Sequence, residues 1–218
     1  MIQLKYPNLK TALKQVMTED KDYVLVKHDF PAGEIVGEHF HPSVNEWAFF
    51  SSGSFEATID FEKEIITAGK GTSAIYFPKA HVHGLRCITD MSYLVLREGN
   101  DKIIYLEALI KGMNHSGFIN DPCGMLWELY KDENMSLAYV RVTGPAKKHM
   151  HKIMQEKYRT EKGSGELQIG NDTICLPKGS SIEIPKNEWH YLRKATQNPF
   201  EILVLTHPGY LPEDFIAE

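Results

Sequence analysis

Two short stretches of the sequence carry the same set of side chains that can bind a metal ion. His39-Phe40-His41 is followed after four residues by Glu46, and His149-Met150-His151 is followed at the same interval by Glu156. Neutral imidazole nitrogens and a carboxylate oxygen are ligands that divalent transition metals accept in proteins. Because the chain has only ten histidines, two copies with one spacing predict a duplicated metal site.

Each stretch has a more distant partner histidine, which follows a proline by five residues. These pairs are Pro78 with His83 and Pro185 with His190. His81 is an alternative to His83, because residues two apart in a strand point to the same face. The proline offset that His83 shares with His190 favours His83.

The position of the carboxylate requires a break in the strand. Residues two apart share a face, so each His-x-His segment predicts a chelating pair. Glu46 and Glu156 come an odd number of residues later, so a turn or bulge must return them to that face. Gln155 is an alternative to Glu156, and the register favours the carboxylate. The predicted metal ligands are His39, His41, Glu46 and His83 in the first set, and His149, His151, Glu156 and His190 in the second.

Three histidines and one glutamate leave one or two coordination positions open on a metal ion. The donor set suits Fe(II), Mn(II), Ni(II), Zn(II) or Cu(II), with one site in each half of the chain. An open position favours catalysis over a purely structural role. Glu46 or Glu156 could detach and act as a base, and Tyr158 could also move a proton, so these three are the predicted catalytic residues.

Composition excludes several classes of partner. The net charge is −5 and the 24 basic residues are scattered, so nucleic acid is not an expected partner. No apolar run has the length of a membrane-spanning helix, and the first residues do not read as a secretion signal, so we expect a cytoplasmic protein without membrane contact. The three cysteines, Cys87, Cys123 and Cys175, are widely spaced and predict reduced, packed side chains.

The hydrophobic pattern predicts an all-β protein with a short N-terminal helix. The helix is predicted from a stripe of Leu9, Leu13, Val16 and Met17 with Asn8 as its cap, and it ends near the charged run at 19–22. From Tyr23 onward, short β-prone runs alternate with turn residues, as is typical of a sandwich or barrel. A helical turn is predicted over 106–112 and a hairpin around 131–134. The loop-rich segment 114–124 is the best boundary, which gives domains 1–113 and 114–218.

Both halves resemble the cupin superfamily. Gly33, His39, His41, Glu46 and Gly53 match the first cupin motif, and Gly71, Pro78 and His83 match the second. The second half repeats both motifs with Gly144, His149, His151, Glu156 and Gly163, and then Gly179, Pro185 and His190. The resemblance implies a bicupin, with two tandem jelly-roll β-barrels in one chain, and a homodimer. The second motif departs from the pattern where Ala80 and Asn187 replace its usual glycine.

The resemblance is specific for fold and metal ligation and does not select a reaction. The leading hypothesis is a metal-dependent oxygenase that acts on a small organic substrate. A second is a metal-dependent isomerase, epimerase or cyclase of a sugar or keto acid, in which a glutamate or Tyr158 moves a proton. A third is a small-molecule-binding protein without turnover.

Strand parity predicts which side chains face each interior. Ala48, Phe50, Ile75 and Phe77 should give the first barrel an apolar interior, while Tyr158, Thr160, Ile182 and Ile184 line the second. All of these residues could equally be barrel core. The acidic segment 212–214 is expected to be a solvated surface.

Overall fold

A computed structural model describes residues 2–4, 13–19, 21–69 and 74–218. The chain divides into two compact units, Met1–Ala108 and Leu109–Glu218. Both units are built almost entirely from antiparallel strands, which confirms the predicted all-β class of jelly-roll barrels. The exact domain boundary predicted after residue 113 stays a prediction.

The N-terminal unit consists of two sheets. Its strands are β1 Ile2–Leu4, β2 Leu13–Glu19, β3 Val24–Phe30, β4 Ile35–Phe40, β5 Glu46–Ser52, β6 Ser54–Ile59, β7 Glu62–Thr67, β8 Ala74–Phe77, β9 His83–Cys87, β10 Met91–Arg97 and β11 Ile104–Tyr105. One sheet has the order β1-β2-β3-β10-β5-β8 and the other β11-β4-β9-β6-β7. Alternate side chains of β3 are buried, as a strand that covers a core on one face requires.

The predicted N-terminal helix is wrong over its described residues. Leu13–Glu19 forms strand β2, which pairs with β1 and β3, and Val16 lies opposite Val26 in that ladder. The apolar spacing matched a helix, but pairing with the neighbouring strand decides the local structure. Leu9 and the proposed cap Asn8 lie outside the described residues.

The C-terminal unit repeats this architecture with longer strands. They are β12 Ile119–Asp121, β13 Gly124–Lys131, β14 Ser136–Val142, β15 His149–Met150, β16 Gln155–Ile169, β17 Asp172–Pro177, β18 Ser181–Ile184, β19 His190–His207 and β20 Ile216–Ala217. Helix α1 spans Leu106–Lys111, and a 3-10 turn spans Pro212–Asp214. Strands β16 and β19 pair through several register shifts, which bend them around the core. The predicted hairpin and helical turn are confirmed.

Two motif glycines mark turns that no other residue fits. Gly53 and Gly163 have φ angles of +98° and +68°. A Cβ atom would lie 2.5 Å from the carbonyl oxygen of Asp90 at Gly53, and 2.2 Å from that of Pro199 at Gly163. The glycines are therefore required both by conformation and by close backbone contact.

Each unit has its own hydrophobic core. The first core includes Ala48, Phe50, Phe55, Phe77 and Tyr93, and the second includes Tyr158, Leu167, Ile184, Phe200 and Ile202. Ile75 and Ile182 pack against these cores. Among the described residues, no helix combines the length and hydrophobicity needed to cross a bilayer.

Candidate metal centres

The first predicted set of ligands is assembled inside the N-terminal unit. His39 lies in β4 opposite His83 at the start of β9, His41 follows β4, and Glu46 begins β5. One ligand atom from each residue lies within 4.8 Å of the others. All four side chains are buried. The loop 41–45 supplies the break that the odd spacing of Glu46 required.

The second set forms an equivalent cluster in the C-terminal unit. His149 of β15 pairs with His190 of β19, and the ligand atoms of His149, His151, Glu156 and His190 again lie within 4.8 Å of one another. His190 Nε2 is 3.0 Å from Glu156 Oε2. The same ladder pairing therefore builds both centres.

Backbone carbonyls fix the orientation of most of these imidazole rings. Four rings place Nδ1 against the carbonyl oxygen two residues earlier: His39 on Gly37 at 2.8 Å, His83 on His81 at 2.9 Å, His149 on Lys147 at 2.8 Å and His190 on Glu188 at 2.9 Å. With Nδ1–H as donor, the Nε2 lone pair faces the cluster. Such hydrogen bonds orient metal-binding histidines and fix their tautomer.

Several buried nitrogens in the clusters have no hydrogen-bond partner. Within the described part of the chain, Nε2 of His41, His83 and His151 is buried and unpartnered. His41 Nε2 is 3.2 Å from Glu46 Oε2, but out of line for a hydrogen bond. Buried polar atoms are normally satisfied. The donor chemistry and the convergence of lone pairs fit a divalent transition metal at both centres.

Burial keeps one histidine of each cluster in the neutral form that metal binding requires. It lowers the pKa of His39 to about 3 and that of His149 to about 4, and the neighbouring histidines act in the same direction. Burial tends to raise the pKa of Glu46, but His41 and His83 outweigh it and hold the pKa below its ordinary value. His39 and His149 are thus neutral and Glu46 is charged at neutral pH.

The two alternative ligands have other partners. His81 Nδ1 lies 2.6 Å from Asp60 Oδ2. The Gln155 side chain donates to Glu183. The structure places His83 and Glu156 in the clusters; whether all eight residues bind metal stays a prediction.

The two centres differ in the space beside them. The cavity at the first cluster has a volume of about 50 Å³, and Phe77, Tyr93 and Arg97 are among its lining residues. The cavity at the second has about 290 Å³. Ala48 and Phe50, predicted to face the first interior, pack in the core cluster. The apolar residues of the first barrel therefore largely fill it, and the substrate-sized space lies in the second.

Tyr158 contacts the second cluster and also lines its cavity. Its hydroxyl donates to Glu156 Oε2 at 3.2 Å, and its side chain lines the cavity. Burial and the Glu156 carboxylate raise the pKa of Tyr158 well above its ordinary value, so the phenol stays protonated. Thr160, also predicted to face inward, is buried with its hydroxyl near Ser180.

Asp214 corrects the expectation that the segment 212–214 is a solvated surface. Its side chain is only 4% exposed. The side-chain carboxylate accepts hydrogen bonds from the backbone N–H groups of Lys152, Ile153 and Met154. The backbone carbonyl oxygen of Asp214 is 3.0 Å from His151 Nδ1. An acidic run such as 212–214 has no sequence signal for this role, because the contacts span 60 to 63 residues.

Comparisons with known proteins agree with the motifs of the second half. A family model described as a cupin domain matches residues 139–206, which include the whole second cluster. The chain is 31% identical over 88 residues to an uncharacterized protein of Methanocaldococcus jannaschii, covering 39% of this chain and 70% of that protein. It is 29% identical over 82 residues to the pectin degradation protein KdgF of Dickeya dadantii, covering 38% and 72%.

Solved structures with a similar fold include two that extend over most of the chain. A cupin 2 conserved barrel domain protein from Leptotrichia buccalis gives a TM-score of 0.39 at 13% identity, covering 93% of this chain and 92% of that chain. Oxalate decarboxylase from Lactobacillus farciminis gives 0.42 at 13% identity, covering 94% and 83%.

Proposed function

The chain belongs to the cupin superfamily, and from this premise we propose that it is a metal-dependent enzyme that isomerises a small carbonyl compound in its C-terminal unit. One observation carries the proposal: the second cluster borders a cavity of about 290 Å³ into which a protonated tyrosine projects. A buried acid beside a charged carboxylate is an arrangement suited to proton transfer.

His149, His151, Glu156 and His190 would hold the metal ion. When bound, a divalent ion supplies Lewis-acid polarisation of a carbonyl group. Glu156 is the negatively charged group of the site, because His190 holds its pKa below the ordinary value against the effect of burial. Tyr158 is the proton donor, because its raised pKa keeps the hydroxyl intact.

These two residues account for a redox-neutral reaction. The proton on the carbon next to the carbonyl moves to the Glu156 carboxylate, and the C–H electron pair forms a carbon–carbon double bond. The negative charge that develops on the carbonyl oxygen is stabilised by a hydrogen bond from the Tyr158 hydroxyl. Where the neighbouring carbon bears a hydroxyl group, the proton of that hydroxyl passes to the former carbonyl oxygen by way of the Tyr158 hydroxyl. Glu156 then returns its proton to the former carbonyl carbon, so that the carbonyl group has moved to the neighbouring carbon.

The cavity wall indicates a substrate with both apolar and hydroxyl-bearing parts. Apolar side chains such as Leu126, Val140 and Ile202 form much of the lining, and Tyr210 adds a hydroxyl. Pectin is a polymer of sugar acids, so the likeness to a pectin degradation protein lends support to a sugar acid or keto acid.

Solvent deuterium exchange tests this function directly. The metal-loaded protein should exchange the carbon-bound proton of a matching sugar acid or keto acid. Tyr158→Phe should slow exchange by about 10²- to 10⁴-fold, the range of general acid–base catalysis. Tyr130→Phe is the matched control, since Tyr130 donates to Asp132 away from the cavity. Absence of exchange across a panel of such compounds, with metal bound, would exclude the isomerase.

The apolar wall also favours a second candidate, an oxygenase acting on a small organic substrate. A cavity wall whose surface is mostly apolar helps to exclude water from a reactive centre. Oxygen uptake by the Fe(II)-loaded protein with aromatic diols, diketones and thiols would support this reaction instead. If neither exchange nor uptake occurs while small molecules bind, the protein is a binding module. Homodimer formation stays a prediction from the resemblance.

A further inference from the structure

A buried arginine lines the small cavity of the N-terminal unit. Arg97 ends strand β10, is only 8% exposed, and shares the cavity lining with His39, Glu46 and His83. In the part of the chain that the structure describes, its guanidinium has neither a hydrogen bond nor an ion pair. The guanidinium is largely shielded from bulk solvent, lines the cavity and has no ionic partner among the described residues, so it favours an anionic ligand in that cavity.

The internal repeat identifies the residue that stands at the same position in the other unit. Arg97 lies opposite Glu46 in the β10–β5 ladder, and Thr206 lies opposite Glu156 in the β19–β16 ladder. Thr206 Oγ1 is 2.7 Å from the hydroxyl of Ser136, so the side chain at this position is uncharged and has a hydrogen-bond partner. The two centres therefore differ by one positive charge at a matched position.

The cavity beside Arg97 limits the size of the ligand. Its volume of about 50 Å³ has room for about three or four water molecules. A ligand of about four heavy atoms fits this space, and the substrate-sized molecules that suit the C-terminal cavity do not. A divalent ion at the first cluster would leave a net positive charge after Glu46 is counted, and this charge adds to that of Arg97.

We infer that the N-terminal centre is a binding site for a small carboxylate-type oxyanion, held by the Arg97 guanidinium beside the His39, His41, Glu46 and His83 cluster. A guanidinium presents paired N–H donors that match the two oxygens of a carboxylate. The inference is independent of the reaction proposed for the C-terminal unit.

Acetate binding to the full chain tests the site. Saturation-transfer NMR on the acetate methyl group, with zinc-loaded protein at constant ionic strength, gives the dissociation constant. A ligand this small should bind with a Kd on the order of 1 mM. Acetamide has the same shape without the charge and should bind at least ten-fold more weakly. Benzoate should not compete with acetate, because it exceeds the cavity.

Substitutions locate the ligand. Arg97→Gln should weaken acetate binding at least ten-fold, Arg97→Lys should retain part of it, and exposed Arg86→Gln should leave it unchanged. His151→Ala, which alters only the C-terminal centre, should also bind acetate as the wild type does.

Three results would overturn the inference. The first is equal affinity for acetate and acetamide in the wild type, a result that does not require any variant to fold. The second is unchanged acetate binding in folded Arg97→Gln. The third is loss of binding in His151→Ala, which would place the ligand in the C-terminal unit.

Discussion

The backbone N–H of Ala80 donates a 2.7 Å hydrogen bond to the carbonyl oxygen of His41. The same contact recurs in the C-terminal unit, where the N–H of Asn187 donates to the carbonyl of His151 at 2.7 Å. Ala80 and Asn187 both adopt left-handed backbone conformations, with φ of 60° and 65°. Each turn thus anchors the second histidine of a His-x-His segment.

This conformation predicts opposite effects for two glycine substitutions. An alanine with positive φ is strained by roughly 1 to 2 kcal/mol, whereas asparagine tolerates that region. Glycine also raises the entropy of the unfolded chain, which offsets part of the gain. Ala80→Gly should therefore raise the free energy of unfolding by up to about 1 kcal/mol, and Asn187→Gly should change it little. Urea denaturation measures both; equal stabilisation by the two would contradict the assignment of strain to Ala80.

In the sequence, these two turn positions are visible only as departures from the cupin motif. Ala80 and Asn187 replace the usual glycine, and the replacement gave no sign that the left-handed conformation persists. The two His/Glu clusters were predictable, because strand parity and a repeated spacing are local properties of the chain. The prediction of an N-terminal helix was wrong for the complementary reason. The spacing from Leu13 to Met17 fits a helix, but the segment forms a strand because it pairs with β3, which lies farther along the chain.

The differences between the two centres could not be predicted from spacing. Arg97 and Thr206 are matched only through ladder register, and Asp214 reaches His151 from the end of the chain. Cavity size follows from how the core side chains pack, which parity does not give. A motif specifies the clustered His and Glu residues, and the residues that surround them depend on the complete fold.

The competition between His83 and His81 can be settled by metal content. His83→Ala should reduce bound metal from two ions per chain to one, because the Nε2 of His83 is a buried, unpartnered atom of the first cluster. His81→Ala should keep two ions, since His81 contacts Asp60. Elemental analysis of dialysed protein measures the stoichiometry. Loss of an ion in His81→Ala alone would assign the ligand to His81.

Asp214 should control the metal affinity of the second centre alone. Asp214→Asn replaces an acceptor oxygen that receives the backbone N–H groups beside His151, and outer hydrogen bonds of this kind are worth about 10- to 100-fold in metal affinity. Zinc titration against a chelator should show one weakened site and one unchanged site. Exposed Glu213→Gln is the neighbouring control. Equal weakening of both sites would indicate a general loss of structure instead.

Glu201 gives the stability of the C-terminal unit a defined pH dependence. Its buried carboxylate accepts hydrogen bonds of 2.7 Å from the Tyr139 hydroxyl and from Arg141 Nε. Burial alone would raise the pKa of Glu201, but these two partners outweigh it and lower the pKa. A carboxyl group with a lowered folded pKa stabilises the protein above its unfolded pKa of about 4.3, and the contribution is lost as the pH falls through the folded value.

Glu201→Gln should therefore lower the free energy of unfolding by about 1 to 2 kcal/mol at pH 7. The loss is modest because the Arg141 side chain is partly exposed, and solvent weakens its ion pair with Glu201. The difference from the wild type should stay constant down to about pH 5 and shrink below about pH 4, as the wild-type carboxyl becomes protonated. Denaturant unfolding at a series of pH values measures it, with Glu213→Gln as the exposed control. A difference that grows on acidification would mean that the folded pKa of Glu201 is raised.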